Sequence, residues 1–474
     1  KENIEICERT AKSIGLDICG IDICCEDIGK PINQGGAIIE INAAPGIRMH
    51  HYPSKGASRN VAGAIVDMIF KGGYSDIPVV SVTGTNGKTT TTRIIGYILS
   101  KLGNNVGMTT TGGIYINNKC IYKGDTTGYY SAKTVLMNRD VEAAVLETAR
   151  GGIIRKGLAY DLADVAVITN ITEDHLGIDG IETLEDLAYV KALVAEAVKD
   201  NGYAVLNADD PMSITILKRI KSKKILFSKD KYNPILRKNI KSGGYGIYVH
   251  EGIMYAEANS NVVPIINVKD IKITLEGKLD YNIENAMAAC AALIGLKVDY
   301  SIIKSGLASF YGDEDFNPGR FNMYSVNGAT VVLDYGHNIE GYKAVLKGAK
   351  NINYNRLIGV IGVPGDRTNS SVKEVGKIAG ENFDYIYIKE DKDRRGRKIG
   401  EIAKLLEKGV ISAGFDHKKI SIVLDEKDAL ERAIDNARPR DLIITFFEEY
   451  NPLVELVRNK IVDIENKNQS TALV

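Results

Sequence analysis

An excess of charge of either sign is absent from this sequence, since 60 lysine and arginine residues balance 60 aspartate and glutamate residues over 474 positions. Domains that bind nucleic acid or anionic membrane surfaces are usually basic, so a general binder of either kind is excluded, although a local charged groove is not. Apolar runs of about 18–20 residues are also absent, which excludes a membrane-spanning helix. The polar pattern of the first residues differs from that of a signal peptide. We therefore expect a protein that binds neither nucleic acid nor the membrane.

Cysteines are few and lack the spacing of a metal site. The adjacent pair Cys24–Cys25 does not match a metal-ligand pattern, and the other cysteines are scattered along the chain. Scattered cysteines in apolar or strand-like contexts are typical of reduced, buried thiols in a cytosolic protein. The composition therefore predicts a cytoplasmic protein.

Three blocks of different pattern follow one another along the chain, as its length leads us to expect. Residues 1–73 contain two short strands around a Gly/Pro/Asn turn, which predicts an antiparallel hairpin, followed by a helix. Residues 74–315 alternate apolar strands with amphipathic helices, which is typical of a parallel sheet covered by helices. Within this block Ser242–Ile273 is a run of short strands that we interpret as a small β excursion. Residues 316–474 alternate strands and helices as in a small Rossmann-like sheet, so the predicted fold class is α/β.

The strongest signal is a glycine-rich loop between an apolar strand and a helix. The stretch Ile77–Thr90 reads Ile-Pro-Val-Val-Ser-Val-Thr-Gly-Thr-Asn-Gly-Lys-Thr-Thr. Glycines let backbone N–H groups converge on phosphate oxygens, and a helix N-terminus favours negative charge. In such a loop Lys88 would contact the β- and γ-phosphates, and the Thr89 hydroxyl would bind Mg²⁺.

The spacing of this loop is shorter than that of the general Walker form, which needs a glycine at the position of Val82. The alternative is a glycine-rich turn that binds nothing. A Lys-Thr pair placed at the start of the helix favours the phosphate loop. The predicted nucleotide-binding residues of the loop are Gly84, Thr85, Asn86, Gly87, Lys88, Thr89 and Thr90.

Further motifs follow in the order found in Mur ligases and folylpolyglutamate synthases, whose phosphate loop has the same Gly-Thr-Asn-Gly-Lys-Thr form. They are Leu-Glu147-Thr-Ala-Arg-Gly-Gly, Thr-Glu-Asp-His175-Leu-Gly, Asn-Ile-Glu-Asn285-Ala-Met, Asn-Pro-Gly-Arg320-Phe-Asn and Asp334-Tyr-Gly-His-Asn. The chain thus resembles the Mur ligase superfamily. The resemblance implies a central P-loop domain over 74–315 and a C-terminal Rossmann-like domain over 316–474.

The variants of these motifs resemble one group in particular, the cyanophycin synthetases, as does the stretch Lys389-Glu-Asp-Lys-Asp-Arg-Arg-Gly-Arg. In addition, Ile38–His51 resembles the C-terminal end of an ATP-grasp domain, which this family fuses directly to a Mur-ligase-like module. The resemblance implies that residues 1–73 are the tail of an ATP-grasp domain. It also implies that further parts precede Lys1, so we expect a fragment in which only the Mur-like site is complete.

By this resemblance the chain would be an ATP-dependent ligase that uses ATP and Mg²⁺. It would join arginine, through an isopeptide bond and an acyl-phosphate intermediate, to the β-carboxylate of aspartate on the poly-aspartate backbone of a cyanophycin primer. The family forms homo-oligomers, so further copies of the chain are implied partners.

Such chemistry brings several anionic groups together and therefore demands cations. The resemblance implies that Lys88 and one or two Mg²⁺ ions supply them, with Thr89 and Glu147 binding the first ion and His175 a second. Lys88, Glu147, His175 and Arg320 are then the catalytic residues.

Nucleotide contacts beyond the phosphate loop are implied for Asn285 and Arg320, which would hold ATP from two sides. Asp334 would bind its ribose or support the domain linker. Lys191 lies near the position at which several Mur ligases carry a carbamylated lysine, and a carbamate would add a negative metal ligand. The alternative for Lys191 is a solvated lysine on a helix face.

Two further sets of polar residues carry weaker predictions. In the first block the residues that match ATP-grasp metal ligands are Asp22, Glu40 and Asn42. Glu40 and Asn42 share one face of a strand because side chains alternate with period two, and without the upstream nucleotide-binding parts we expect a structural role for them. A guanidinium substrate needs a carboxylate partner. The candidates in the last block are Asp391, Asp393, Glu448 and Glu449.

Three other functions stay open. A different Mur-type amino-acid ligase is opposed by the ATP-grasp tail, since muramyl-peptide and folate ligases lack one. A non-catalytic polymer-binding module is opposed by the intact set of phosphate and metal residues. A generic P-loop kinase or GTPase does not account for the Arg320 motif or for Asp334-Tyr-Gly-His-Asn, far beyond the loop.

Overall fold

The computed structural model describes residues 1–70, 76–174 and 176–472, with 464–472 described by their backbone only. The chain divides into two compact units, Lys1–Asp76 and Ile77–Val474. Within the described ranges, every helix is too short or too polar to cross a membrane.

In its described residues, the first unit has a two-stranded sheet, three α-helices and a short 3-10 helix over Ile32–Gln34. Its elements are α1 (Glu2–Ile14), β1 (Gly20–Cys25), β2 (Gly36–Asn42), α2 (Arg48–His51) and α3 (Val61–Phe70). β1 and β2 pair antiparallel, so the predicted hairpin is confirmed. Ile32 is the one buried residue among those described here, and large apolar side chains such as Ile39, Tyr52 and Ile69 are exposed. The ATP-grasp interpretation of this unit stays a prediction.

A peptide of residues 1–76 is expected to be unfolded on its own. One buried side chain provides little apolar burial to offset the loss of conformational entropy on folding. Residues 77–474 contain the large buried clusters and should melt cooperatively without the first unit. Circular-dichroism melts of the two separate peptides measure this, and a cooperative transition for residues 1–76 alone would contradict the expectation.

The second unit begins with a sheet of eleven strands. In chain order they are β3 (Val79–Thr83), β4 (Val106–Thr110), β5 (Gly113–Ile116), β6 (Lys119–Lys123), β7 (Ala143–Glu147), β8 (Ala163–Ile168), β9 (Val198–Asn207), β10 (Lys223–Ser228), β11 (Tyr245–His250), β12 (Ile253–Ala258) and β13 (Asn261–Asn267). The order across the sheet is β13-β12-β11-β10-β9-β8-β3-β7-β4-β5-β6. The strands from β11 to β4 run parallel, and an antiparallel pair extends each edge.

Pairing partners complete what the sequence patterns indicate about this sheet. Ser242–Ile273 contains the predicted run of short strands, and these strands extend the central sheet, because β11 pairs with β10 and β12–β13 continue from it. The helix that begins at Leu184 ends at Glu196, and Val198 opens β9 by pairing with Ala163. Val198 and Ala163 are far apart in the sequence, so the local pattern does not contain this pairing.

Helices cover both faces of the sheet. They are α4 (Lys88–Lys101), α5 (Tyr129–Leu136), α6 (Arg150–Lys156), α7 (Leu184–Glu196), α8 (Pro211–Thr215), α9 (Pro234–Lys241), α10 (Asp280–Gly295) and α11 (Tyr300–Ser309). α4, α10 and α11 share one buried cluster with strand side chains, and α7 lies in another. The alanine-rich sequence of α10 lets it pack closely against α4, since small side chains bring helix axes together.

The unit ends with a six-stranded sheet. Its strands are β14 (Asn322–Val326), β15 (Ala329–Asp334), β16 (Leu357–Ile361), β17 (Tyr385–Ile388), β18 (Ile420–Ile422) and β19 (Leu442–Phe446), in the order β14-β15-β19-β16-β17-β18. Its helices are α12 (Ile339–Ala349), α13 (Asn369–Asn382), α14 (Glu401–Ser412), α15 (Glu426–Asp435) and α16 (Tyr450–Ala472). All neighbouring strands except β14 and β15 pair parallel. The predicted α/β fold, a large central sheet followed by a smaller Rossmann-like sheet, is confirmed, and the predicted boundary at 315 falls between the two sheets.

Candidate active site

The phosphate loop, Gly84 to Gly87, connects β3 to α4 and has room only for glycine at its two ends. Gly84 and Gly87 have φ angles of +146° and +85°. A Cβ on Gly84 would lie 1.9 Å from Thr169 Oγ1, and one on Gly87 would lie 2.1 Å from Asn285 Oδ1. Any side chain at either position would therefore distort the loop, and Asn285 is placed directly against it.

The loop is held in place by the residues that follow β8. The Asn86 N–H donates to Asn170 Oδ1 at 2.9 Å, the Thr169 hydroxyl donates to the Asn86 carbonyl at 2.6 Å, and the Thr85 N–H donates to the Asn170 carbonyl at 2.8 Å. The Lys88 ammonium donates to the Thr85 carbonyl at 2.9 Å. These hydrogen bonds fix the conformation of the loop.

A buried carboxylate lies beside the start of α4. The Thr89 hydroxyl donates to Glu147 Oε1 and the Thr111 N–H donates to Glu147 Oε2, both at 3.1 Å. Glu147 is 2% exposed. Burial raises the pKa of its carboxyl, whereas the charges of Lys88 and Arg320 lower it. A nearby cation therefore stabilises the ionised form of this buried carboxyl group.

Arg320 reaches the surroundings of Glu147 from the C-terminal sheet domain. Its Nη2 donates to the hydroxyls of Thr89 and Thr111, each at 3.0 Å, and its guanidinium lies 4.6 Å from the centre of the Tyr335 ring. The structure thereby brings together the predicted residues Lys88, Thr89, Glu147 and Arg320. Thr111, at the end of β4, belongs to no motif, and no local sequence signal identifies it.

The donor set suits Mg²⁺. A threonine hydroxyl and a carboxylate are hard oxygen ligands, and Mg²⁺ sites commonly use one or two carboxylates, with phosphate and water completing the shell. Within the described ranges no cluster of three or more His, Cys, Asp and Glu residues could hold a metal ion. His175, the predicted ligand of a second ion, lies outside the described residues.

Two asparagines of the C-terminal sheet domain also contact the loop and its helix. Asn338 Nδ2 donates to Asn86 Oδ1 at 3.2 Å, and Asn86 Nδ2 donates to Asn338 Oδ1 at 3.3 Å. Asn317 Nδ2 donates to the Thr90 hydroxyl at 3.2 Å. Both asparagines lie in the motifs that contain Arg320 and Asp334, although the motifs alone predict no role for them.

Asp334 uses both carboxylate oxygens within its own domain. Oδ2 accepts the N–H of Phe321 at 2.9 Å and Oδ1 accepts the N–H of Gly336 at 2.7 Å. Burial raises the pKa of the Asp334 carboxyl, and Arg320 lowers it. Of the two predicted roles, ribose binding and support of the linker, these bonds favour the second, because they anchor the segment that carries Arg320.

Lys191 is buried, so a solvated lysine on a helix face is the wrong interpretation. It is 3% exposed, and its ammonium donates to the Gly84 carbonyl at 2.7 Å. α7 begins at a capping box between Thr183 and Asp186, and Lys191 lies one to two turns later on the face that packs against the sheet. Burial lowers the pKa of Lys191 to about 7, helped by the charge of Lys88.

The low pKa of Lys191 predicts a pH-dependent stability. Between about pH 7 and the ordinary lysine pKa of 10.5, the unfolded chain binds a proton at this position that the native chain does not bind. The free energy of unfolding therefore rises with pH in this window, and Lys191→Met removes that rise. Urea unfolding of both proteins at pH 7, 8 and 9 measures the difference. Lys241→Met, at an exposed lysine of α9, is the control. A difference between wild type and Lys191→Met that stays constant with pH would contradict the low pKa.

Two cavities meet at the phosphate loop. One of about 340 Å³ lies between the loop and the C-terminal sheet domain and includes Asn285 and Asp334. The other, of about 690 Å³, includes Lys191 and Asp366. Both volumes are in the range of small-molecule sites. Residues that line both cavities are Thr85, Lys88, Thr111, Tyr335 and His337. A group transferred between molecules in the two cavities would therefore pass Lys88.

The acids predicted to bind a guanidinium line neither cavity. These are Asp391, Asp393, Glu448 and Glu449. Asp391 accepts a hydrogen bond from the buried ammonium of Lys389 at 2.7 Å, and Glu448 accepts the N–H groups of Lys392 and Asp393. These acids therefore hold their own loop together.

The predicted ATP-grasp ligands lie in the first unit and line neither cavity. Asp22 is directly opposite Glu40 in the antiparallel pair, and Asn42 is opposite Gly20. Opposed carboxylates repel each other, which is compatible with a bound cation but does not by itself identify one. Their role stays a prediction.

Comparison with known proteins places two family models on the second unit. Residues 82–293 match the Mur ligase middle domain, and residues 319–446 match the Mur ligase, glutamate ligase domain. The chain is 43% identical over 459 residues to a cyanophycin synthetase from Synechocystis sp., covering 96% of this chain and 52% of that protein. It is 40% identical over 478 residues to one from Nostoc sp., covering 100% of this chain and 53% of that protein. The chain thus spans about half the length of the curated relatives it matches.

Solved structures show the same fold. The MurF ligase of Thermotoga maritima in complex with ADP has a TM-score of 0.56 at 20% identity, covering 82% of this chain and 81% of that one. E. coli FolC in complex with DHPP and ADP has a TM-score of 0.57 at 18% identity, covering 82% and 89%. At these identities the likeness concerns the fold alone.

Proposed function

Because residues 82–293 match the Mur ligase middle domain and residues 319–446 the Mur ligase, glutamate ligase domain, we propose that this chain is an ATP-dependent ligase that forms an amide bond between an amino acid and a carboxylate. We propose further that the amino acid is arginine and the carboxylate the β-carboxylate of an aspartate on a poly-aspartate backbone. The observation that carries the proposal is the position of Lys88 at the junction of two cavities, beside Thr89, Glu147 and Arg320. The identity of 40% to 43% with cyanophycin synthetases supports this choice of substrates.

The reaction divides between the two cavities. ATP would occupy the smaller cavity with its γ-phosphate at Lys88, and the acceptor carboxylate would lie in the larger one. A carboxylate oxygen attacks the γ-phosphorus, ADP leaves, and an acyl phosphate forms. The α-amine of the amino acid then attacks the carbonyl carbon, loses a proton, and displaces phosphate to form the amide.

Charge neutralisation is the main task of the protein in this sequence of steps, since phosphoryl transfer needs positioning and electrostatic stabilisation more than covalent help. Lys88 and Arg320 bring two cations to the same place from two domains. Mg²⁺, held by Thr89 and Glu147, would neutralise phosphate charge when bound.

Lys191 supports a second element of the proposal, its carbamylation. CO₂ adds to the lone pair of a neutral amine, with loss of one proton, and a buried lysine with a pKa of about 7 is largely neutral at slightly alkaline pH. The resulting carbamate would place a negative charge near Lys88 and the phosphate loop.

The experiment is ATP consumption by this chain with a short Asp-terminated cyanophycin primer, comparing arginine, other amino acids and no amino acid. We expect phosphate to be released only when both the primer and arginine are present. Release with another amino acid in place of arginine would identify a different Mur-type ligase. ATP binding without release under any condition would instead favour a non-catalytic polymer-binding module. A cyanophycin synthetase from Synechocystis sp. is the positive control for the primer.

A further inference from the structure

The larger cavity has an acidic residue on the side of the C-terminal sheet domain. Of the described residues that line it, the acids are Asp125, Asp174 and Asp366. Asp125 accepts hydrogen bonds from the backbone and side chain of Thr127 and so holds its own turn. Asp174 forms an ion pair with Arg367 at 2.8 Å. Asp366 differs from both, because its carboxylate pairs with Arg395, whose side chain itself lines the cavity.

Arg395 already places a guanidinium against Asp366. Its Nη1 donates to Asp366 Oδ2, and its Nε lies 3.8 Å from Asp393 Oδ2. The side chain of Asp393 is 72% exposed and lies outside the cavity, whereas that of Asp366 is 17% exposed. A guanidinium therefore fits at Asp366. The carboxylate of Asp393, on the solvent side, is a second partner within reach of Arg395.

The loop that carries Asp366 is held rigidly. Arg397 donates to the Gly365 carbonyl, to Asn369 Oδ1 and to Glu401 Oε1, each at 2.7 Å. A Cβ on Gly365 would lie 2.1 Å from the Arg394 carbonyl, so the two loop segments are in close contact. A carboxylate on a fixed loop needs little ordering when it binds a partner, which favours selective recognition.

We propose that Asp366 is the receptor for the guanidinium of the amino-acid substrate and sets the preference for arginine. Before arginine enters, Arg395 occupies the place of the substrate guanidinium, and it turns to Asp393 when arginine binds. The α-amine of the bound arginine is then directed toward the Lys88 end of the same cavity. This inference rests on the proposed function, because it assigns the side-chain specificity of that reaction.

The test compares Asp366→Asn with wild type in the arginine-dependent phosphate-release assay. Hydrogen bonds to charged groups are strong, so the KM for arginine should rise by roughly ten- to hundred-fold. The KM for ATP should stay near the wild-type value, because Asp366 does not line the smaller cavity. Citrulline, a neutral isostere of arginine, gives a second readout. The ratio of kcat/KM for arginine to that for citrulline should fall toward one in Asp366→Asn and recover in part in Asp366→Glu.

The matched control is Asp435→Asn, at an acid of α15 whose side chain is 56% exposed, pairs with Lys460 and lines neither cavity. An exposed ion pair contributes little, so its effect on the arginine KM should stay within about fivefold. An unchanged arginine KM and arginine-to-citrulline ratio in Asp366→Asn would overturn the inference. If Asp366→Asn shows no turnover, calorimetric titration with arginine decides, since binding equal to wild type overturns the inference and weakened binding supports it. Wild type without arginine-dependent release would instead contradict the proposed function.

Discussion

Lys88→Ala is expected to lower arginine-dependent phosphate release by roughly 10³-fold, because it removes a fixed cation from the junction at which phosphoryl transfer takes place. The Lys88 ammonium lies over the phosphate loop, bonded to the Thr85 carbonyl, and lines both cavities. The loop itself is held by Thr169 and Asn170, so the fold should tolerate the change. Phosphate release at saturating ATP and arginine is the measurement.

Lys101→Ala is the control for this variant. Lys101 lies at the other end of α4, is exposed, and donates to Ser309 Oγ at 2.9 Å. Its removal should leave the rate near that of wild type. A rate for Lys88→Ala within tenfold of wild type would show that the phosphate-loop lysine does not act in the reaction.

Arg320→Ala should have an effect of similar size, roughly 10³-fold or more on the rate, by analogy with arginine residues that complete phosphoryl-transfer sites from another domain. Arg320 is the cation that the C-terminal sheet domain contributes, since its Nη2 bonds to Thr89 and Thr111. Nη2 donates to both hydroxyls while Nη1 donates to the Gly319 carbonyl at 3.2 Å, and a lysine ammonium cannot reproduce this planar arrangement, so Arg320→Lys should restore little of the rate. Single-turnover phosphate release reports the rate, and calorimetric ADP titration reports the nucleotide affinity.

ADP affinity should fall much less than the rate, because the phosphate loop and Asn285 remain in place. Arg458→Ala, at an arginine of α16 that is 62% exposed and paired with Glu314, is the control for loss of a positive charge from the same domain. Equal losses of affinity and of rate in Arg320→Ala would mean that Arg320 only holds the nucleotide.

The phosphate loop illustrates what sequence patterns predict well. Its strand, its two glycines and the Lys-Thr pair are neighbours in the chain, so one local conformation determines where they lie. Strand–helix alternation likewise predicted the parallel sheets. The local pattern does not contain the strand with which a segment pairs, such as the pairing of β11 with β10 or of β9 with β8.

The candidate site likewise contains residues that local motifs predict and residues that they do not. Lys88, Thr89, Glu147 and Arg320 belong to motifs, and the structure brings them together. Thr111 belongs to none, and only the position of β4 beside β7 places it at Glu147. The predicted guanidinium-binding acids lie in a charged loop, where Asp391 instead bonds to Lys389. Among the described acids that line the larger cavity, Asp366 is the one that pairs with Arg395.

Taken alone, the sequence determined the fold class, the phosphate loop and the resemblance to an amide-forming ligase, because each depends on the order and spacing of residues along the chain. Tertiary structure decided that Lys191 is buried against Gly84, that Arg320 meets a threonine 231 positions away, and that Asp366 lies in a cavity. Burial and contact between distant residues arise from the packing of strands, helices and domains. The charge state of a lysine, and the partners of an arginine or an aspartate, therefore depend on surroundings that no local pattern contains.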